Sequence, residues 1–162
     1  MILYHGSNVE IERIDLTCSK KGKDFGCGFY LNANLQQALD MAVRTANRMM
    51  TGTPVVNMYA FDDSILNNPN ELNIKVFDDY SVEWADFVLM NRGNKDDVPL
   101  HSYDIVIGPI ANDTVGVQIR RYIMGYISIE HLIEELRFKG NHAVQYYFGT
   151  EKSIKLLNKI NL

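Results

Sequence analysis

The segment Asp24-Phe25-Gly26-Cys27-Gly28-Phe29-Tyr30 leads through a glycine-bracketed turn into the short apolar run Phe29-Tyr30-Leu31. Neither glycine carries a Cβ, so the chain can turn sharply here and pass close to a flat ligand. Read as a strand, Phe29-Tyr30-Leu31 puts Tyr30 on the face opposite its neighbours. A tyrosine on a rigid strand beside bare backbone can stack on an aromatic ring with its hydroxyl left free. The alternative is a tight turn into an ordinary core strand. The N-terminal stretch Leu3-Tyr4-His5-Gly6-Ser7, a single connection upstream, favours the first reading.

Outward from this segment, Ile2 to Tyr4 reads as an apolar strand ending at His5-Gly6, and residues 8–14 as a short helix or turn. Residues 17–23 form a polar loop carrying Lys20, Lys21 and Lys23. Asn34 can cap a helix in which Leu35, Ala38, Leu39, Ala42 and Ala46 recur at helical spacing as far as Arg48. Gly52 and Pro54 end it. Val55 to Phe61 alternates as a strand, and Leu72 to Phe77 is a further short apolar run. Ser81 caps a helix expected to bury Val82, Ala85, Val88 and Leu89 up to Arg92. Tyr103 to Ile110 contains the buried strand Ile105-Val106-Ile107. Helices follow over 115–124 and 129–138, the second capped by Ser128. Val144 to Phe148 is expected as the last strand, and Thr150 as the start of a C-terminal helix with Ile154, Leu157 and Ile160 inside. Strands and helices are interspersed without regular alternation, which favours α+β over a doubly wound sheet. Residues 1–162 read as one domain.

The formal charge is −4, with both signs mixed along the chain, so no basic stripe supports unaided binding to a phosphate backbone. Cys18 and Cys27 are the only cysteines and make no metal or redox motif. They suggest a reduced cytosol, with a single disulfide as the alternative. No apolar run approaches the ~20 residues needed to cross a bilayer. A first strand at Ile2 leaves no room for a signal peptide, so a complete cytoplasmic protein with no membrane partner is expected. There is no phosphate-binding P-loop, no His-Glu-X-X-His and no zinc spacing, and no metal is expected.

Leu3-Tyr4-His5-Gly6-Ser7, then Phe25-Gly26-Cys27-Gly28-Phe29-Tyr30-Leu31, then a helix, resembles the nucleotide-binding half of the diphtheria-toxin and poly(ADP-ribose) polymerase class of ADP-ribosyltransferases. The whole chain is similar to a bacterial family known as domain of unknown function 3990. That likeness rests on Lys21-Gly22-Lys23-Asp24-Phe25-Gly26, Val55-Val56-Asn57, Asn91-Arg92, Tyr103-Asp104-Ile105-Val106-Ile107-Gly108-Pro109 and Gln145-Tyr146-Tyr147-Phe148. The resemblance implies an ADP-ribosyltransferase-like split β-sandwich, two facing sheets around an NAD cleft with flanking helices. It implies NAD as co-substrate and a His–Tyr–Glu triad that falls here on His5, Tyr30 and Gln145. Tyr30 would then stack on nicotinamide, the backbone of Gly6 would hold the carboxamide, and His5 would bond a ribose hydroxyl as a neutral imidazole. Ser7, Gly28 and Met41 complete the implied cofactor-binding set.

Three positions depart from that pattern. Gln145 stands where the class has glutamate; it can accept a hydrogen bond but carries no charge and cannot take a proton from a nucleophile. Met41 stands where the class has a second aromatic, and Ala38 where a serine usually helps hold the amide. These changes argue against chain-forming polymerase activity. The expected function is mono-ADP-ribosyl transfer to an intracellular acceptor, protein or nucleic acid. Members of the similar family resemble toxins or phage-defence components, which implies a small neutralising protein as a partner. The alternatives are an inactive module that binds NAD or ADP-ribose, and an NAD glycohydrolase.

Other residues carry two readings each. Lys20, Lys21 and Lys23 can meet a pyrophosphate or form a solvated basic loop. Asp113 can supply a carboxylate near an acceptor or cap the helix that follows it. Trp84 reads as packed. Cys27 could act as a nucleophile with His5 as base, but no third orienting group is evident.

Overall fold

The computed structural model describes residues 1–67, 69, 71–111, 113–139 and 143–160. Its strands are β1 (Ile2–Ser7), β2 (Phe29–Asn32), β3 (Val55–Ala60), β4 (Ile74–Val76), β5 (Ile105–Pro109), β6 (Val144–Phe148) and β7 (Asn158–Ile160). They form a seven-stranded sheet in the order β4-β5-β6-β2-β1-β3-β7. It is flanked by α1 (Leu35–Met49), α2 (Val82–Gly93), α3 (Asp113–Ile123), α4 (Ile129–Lys139) and the short α5 (Glu151–Ile154). β4 and β5 run parallel and the remaining pairs antiparallel. The architecture is mixed α+β.

Alternation along the strands gives the sheet two covered faces. Val106 and Tyr147 join Phe25, Tyr80, Trp84, Val88 and Leu132 in one core under α2 and α4. Ile105, Ile107 and Phe148 point the other way, with Leu3, Leu31, Phe61 and Leu157. β5 has no exposed residue, as its unbroken apolar run implied.

Local chemistry sets the helices. The Asn34 side chain accepts the Gln37 N–H at 3.2 Å and caps α1. Ala38, Ala42 and Ala46 form its buried stripe, whereas Leu35 and Leu39 stay exposed, contrary to the amphipathic reading. The reason is proximity: a Cβ on Gly6 would lie 2.1 Å from the Ala38 carbonyl oxygen, so only alanines fit between α1 and β1. Ser81 caps α2 through the Trp84 N–H at 3.1 Å. That helix buries Trp84, Ala85, Val88 and Asn91, and leaves Val82 exposed.

The C-terminus differs from expectation. Thr150 and Ser153 make a reciprocal capping box, but α5 stops at Ile154 and the chain turns into β7. Met58 pairs with Ile160 and Ala60 with Asn158, so this segment closes the edge of β3. A bare strand edge offers a row of unpaired backbone groups, and covering it outweighs the helical spacing of Ile154 and Leu157.

The sheet is weakest between β1 and β2. β1 pairs with β3 over six positions, Ile2–Ala60 to Ser7–Val55, but with β2 only where Tyr4 faces Asn32. From His5 onward β1 has no partner in β2.

Candidate functional site

His5 sits where β1 leaves β2, and its side chain reaches across to β2. Its Nδ1 lies 2.7 Å from the Tyr30 carbonyl oxygen, and its ring stacks on Phe29 with centroids 4.4 Å apart. A carbonyl only accepts, so Nδ1 carries the proton and donates. Burial lowers the His5 pKa below its ordinary 6.5; the bond to Tyr30 opposes this and the nearby Lys23 charge reinforces it. The result is a neutral imidazole of defined tautomer. Its Nε2 lone pair has no partner among the described residues.

Tyr30 points to the other face of the sheet. Tyr30, Asn32, Gln145 and Tyr147 share that face, because Tyr30 pairs with Tyr147 and Asn32 with Gln145. The Tyr30 ring meets Tyr147 edge-on at 5.4 Å and lies near-parallel to Phe25 at 6.4 Å. The expectation of a free phenol is corrected. Its hydroxyl donates to the Gly26 carbonyl at 2.7 Å and accepts from the Phe25 N–H at 3.0 Å. Burial raises its pKa above the usual phenol range; the Phe25 bond opposes that and the Asp24 charge adds to it. His5 and Tyr30 therefore meet through the Tyr30 carbonyl, and their rings do not face one another.

Gly26 and Gly28 serve the protein's own rings. A Cβ on Gly28 would come 2.2 Å from Tyr147 Cε2. Gly26 has φ +89°, with Asn91 Oδ1 3.0 Å from where its Cβ would stand. His101 braces the same turn. Its Nε2 contacts the Phe25 carbonyl at 2.8 Å while its Nδ1 accepts the Tyr103 N–H at 3.2 Å.

Gln145 is held by two acceptors. Its Nε2 donates to Asp24 Oδ2 at 3.0 Å and to the Pro109 carbonyl at 3.3 Å. Asp24, only 13 % exposed, also receives Arg92 Nε at 2.7 Å and the Ala111 N–H at 3.4 Å. Arg92 in turn donates from Nη2 to the Ala111 carbonyl at 3.2 Å. This network ties the Asp24 turn to α2, to the chain after β5, and to β6. Asp24, Arg92 and His101 are the residues that sequence reasoning missed as site residues. Asp24 and Arg92 stood inside the quoted family segments, but nothing in their spacing paired them.

The other expected residues are dispersed. Gly6 lies under α1 with Met41 beside it, and Met41 is exposed. Ser7 is buried, its Oγ accepting the Val9 N–H at 3.4 Å. Lys21 pairs with Asp97 at 2.5 Å on the surface. Protein atoms crowding its ammonium, and then the Arg48 guanidinium, lower the Lys23 pKa. Trp84 is fully buried and donates to the Pro109 carbonyl at 3.3 Å. Cys18 and Cys27 are free and exposed, and no hydrogen bond joins Cys27 to His5 among the described residues. Asp113 begins α3, and its side chain lies outside the described residues. A cleft of about 580 Å³ between α2 and α3 includes Arg92, Ala111, Gly116 and Arg120. A smaller one of about 230 Å³ includes Tyr59, Arg13 and Lys159. Neither is lined by His5, Tyr30 or Gln145.

Residues 1–158 match a family described as "Protein of unknown function (DUF3990)". The chain belongs to the DUF3990 family. No curated protein and no solved structure matches it. Among the described residues of this DUF3990 protein, no three His, Cys, Asp or Glu side chains group to hold a metal ion. No described helix is long and apolar enough to cross a membrane. What the arrangement offers chemically is two fixed hydrogen-bond acceptors, His5 Nε2 and Gln145 Oε1, on the strands that flank β2 but on opposite faces of the sheet.

Proposed function

We propose that this DUF3990 protein is a mono-ADP-ribosyltransferase that cleaves the nicotinamide–ribose bond of NAD and passes ADP-ribose to an intracellular acceptor, protein or nucleic acid. The observation that carries the reading is His5. It sits at the single-pair junction of β1 and β2, neutral, with its proton committed to Tyr30 and a lone pair left over. A neutral imidazole held this way suits a ribose hydroxyl, which donates. The one-pair junction also supports a split β-sandwich whose opening receives the dinucleotide.

In this reading His5 Nε2 accepts from a ribose hydroxyl on one face of the sheet, and Gln145 Oε1, on the opposite face, accepts from a second hydroxyl of NAD reached through the β1–β2 junction. Nicotinamide leaves with the bonding electrons of the glycosidic bond, and the acceptor or water attacks the anomeric carbon. Catalysis comes from positioning and from fixed dipoles aimed at the developing positive charge. Tyr30 acts by holding His5 through its carbonyl and by bracing the Asp24 turn. A cytoplasmic toxin restrained by a small neutralising protein is the setting that fits an intracellular acceptor.

A second reading is a module that binds NAD or ADP-ribose without turnover. It is favoured by two observations: residue 145 carries no charge, and the Tyr30 hydroxyl is already engaged. Incubation of the protein with labelled NAD tests both. Released nicotinamide with label on a macromolecule supports transfer. Release without label means hydrolysis, and tight binding without release means a module. His5→Ala is expected to abolish release; unchanged release in that variant would end the proposal.

A further inference from the structure

The geometry points to Asp24 as a positioning residue that fixes Gln145 with its carbonyl oxygen outward; the inference rests on the transferase reading for its functional meaning. A glutamine amide has a donating end and an accepting end of nearly the same shape, so only its neighbours decide which way it faces. Here the neighbours agree. Asp24 Oδ2 at 3.0 Å and the Pro109 carbonyl at 3.3 Å both lie against Nε2. Asp24 Oδ1 is ion-paired with Arg92 Nε at 2.7 Å, and a carboxylate in an ion pair can only accept. Turning the amide over would replace two hydrogen bonds by two oxygen–oxygen contacts. Oε1 therefore faces away from the network and has no partner among the described residues.

This pairing also accounts for glutamine at position 145. A glutamate there would set a second carboxylate against Asp24 and the Pro109 carbonyl, with no donor toward either. Like charges at this separation raise the pKa of the pair and favour one shared proton. Asp24 does not touch substrate in this scheme. It acts through residue 145, and Arg92 supplies the balancing charge. The two residues lie 121 positions apart in the chain, which is why neither predicts the other from local sequence.

The test is a double-mutant cycle of wild type, Asp24→Asn, Gln145→Glu and Asp24→Asn/Gln145→Glu, read in two ways. In nicotinamide release, each single change is expected to lower kcat at least tenfold with KM for NAD little altered. The asparagine at position 24 can donate to the carboxylate introduced at position 145. The double variant is therefore expected to exceed the product of the single effects by at least tenfold, about 1.4 kcal/mol of coupling. Multiplying effects, or Gln145→Glu as active as wild type, would overturn the assignment. Thermal unfolding of the same four proteins needs no NAD and keeps the outcome separate from the transferase reading. Gln145→Glu alone should lower Tm and the second change should restore it, even if no protein in the cycle releases nicotinamide; additive Tm shifts would overturn the lock. Should Asp24→Asn fail to fold, the pH dependence of Gln145→Glu decides. A carboxyl pair with raised pKa is stabilising only below its titration, so that variant should approach wild-type Tm at about pH 5 and fall away toward pH 8. A constant Tm difference across that range would refute the pairing.

Discussion

Removing a single oxygen from Tyr30 tests whether the turn between the glycines is held by the phenol. In Tyr30→Phe the ring and its contacts with Phe25 and Tyr147 remain, and two hydrogen bonds are lost. Both partners are backbone groups of the same turn, the Phe25 N–H and the Gly26 carbonyl. Phe25 is fully buried, so water cannot readily replace the missing partner of its N–H. A buried group left unsatisfied costs about 1–3 kcal/mol, while a bond that water can replace is worth about 1 kcal/mol. Counting the Phe25 N–H in the first class and the carbonyl of the partly exposed Gly26 in the second gives a loss of about 2–4 kcal/mol. For a domain of this size that corresponds to a fall in Tm of roughly 4–16 °C. Urea denaturation followed by tryptophan fluorescence gives the difference directly, with Trp84 as a buried reporter. The expected result is a lower midpoint with an unchanged slope. A change under about 0.5 kcal/mol, within the range of ordinary surface substitutions, would refute the bracing role.

Gly28→Ala places a methyl 2.2 Å from the Tyr147 ring and should destabilise by about 1–3 kcal/mol, the range for overpacked cores; a neutral effect in chemical denaturation would show that Tyr147 moves freely. For His5, the folded pKa lies below the ordinary 6.5, so the unfolded chain binds the proton more readily and stability falls as pH drops through the folded value. His5→Gln should therefore flatten the stability profile between about pH 5 and 7. An NMR titration placing His5 at or above 6.5 would contradict the neutral tautomer.

How much of this could be read from the chain depends on whether an interaction is local. Caps and strands written in neighbouring residues were legible: Asn34 and Ser81 cap as their spacing implied, and the buried run Ile105-Val106-Ile107 opens β5. The C-terminal strand was not, because Asn158–Ile160 becomes a strand only by meeting an edge contributed by residues 58–60. The exposure of Leu35 and Leu39 was equally hidden. It follows from the closeness of α1 to Gly6, a contact between elements far apart in sequence. In the candidate site, His5, Tyr30 and Gln145 were singled out by resemblance, yet their spatial relation was not legible. Alternation along β2 decides that Tyr30 turns away from the Phe29 side, and only the pairing with β6 shows that Gln145 shares the Tyr30 face.

The same logic places the candidate site in the fold. A regular antiparallel ladder between β1 and β2 would consume the backbone groups of both strands and leave no opening. Instead the ladder stops after Tyr4–Asn32, and a side-chain nitrogen of His5 satisfies the Tyr30 carbonyl in place of a strand partner. That substitution is possible because α1 presses on β1 through Gly6 and the Asp24 turn is pinned to β2 by the Tyr30 hydroxyl. β1 and β2 thus meet at one paired position, and the imidazole bridging them is held neutral by burial. Closing the gap with further strand pairing would free the Tyr30 carbonyl from His5 and with it the defined tautomer. The interruption of the sheet and the chemistry of His5 are therefore a single structural decision.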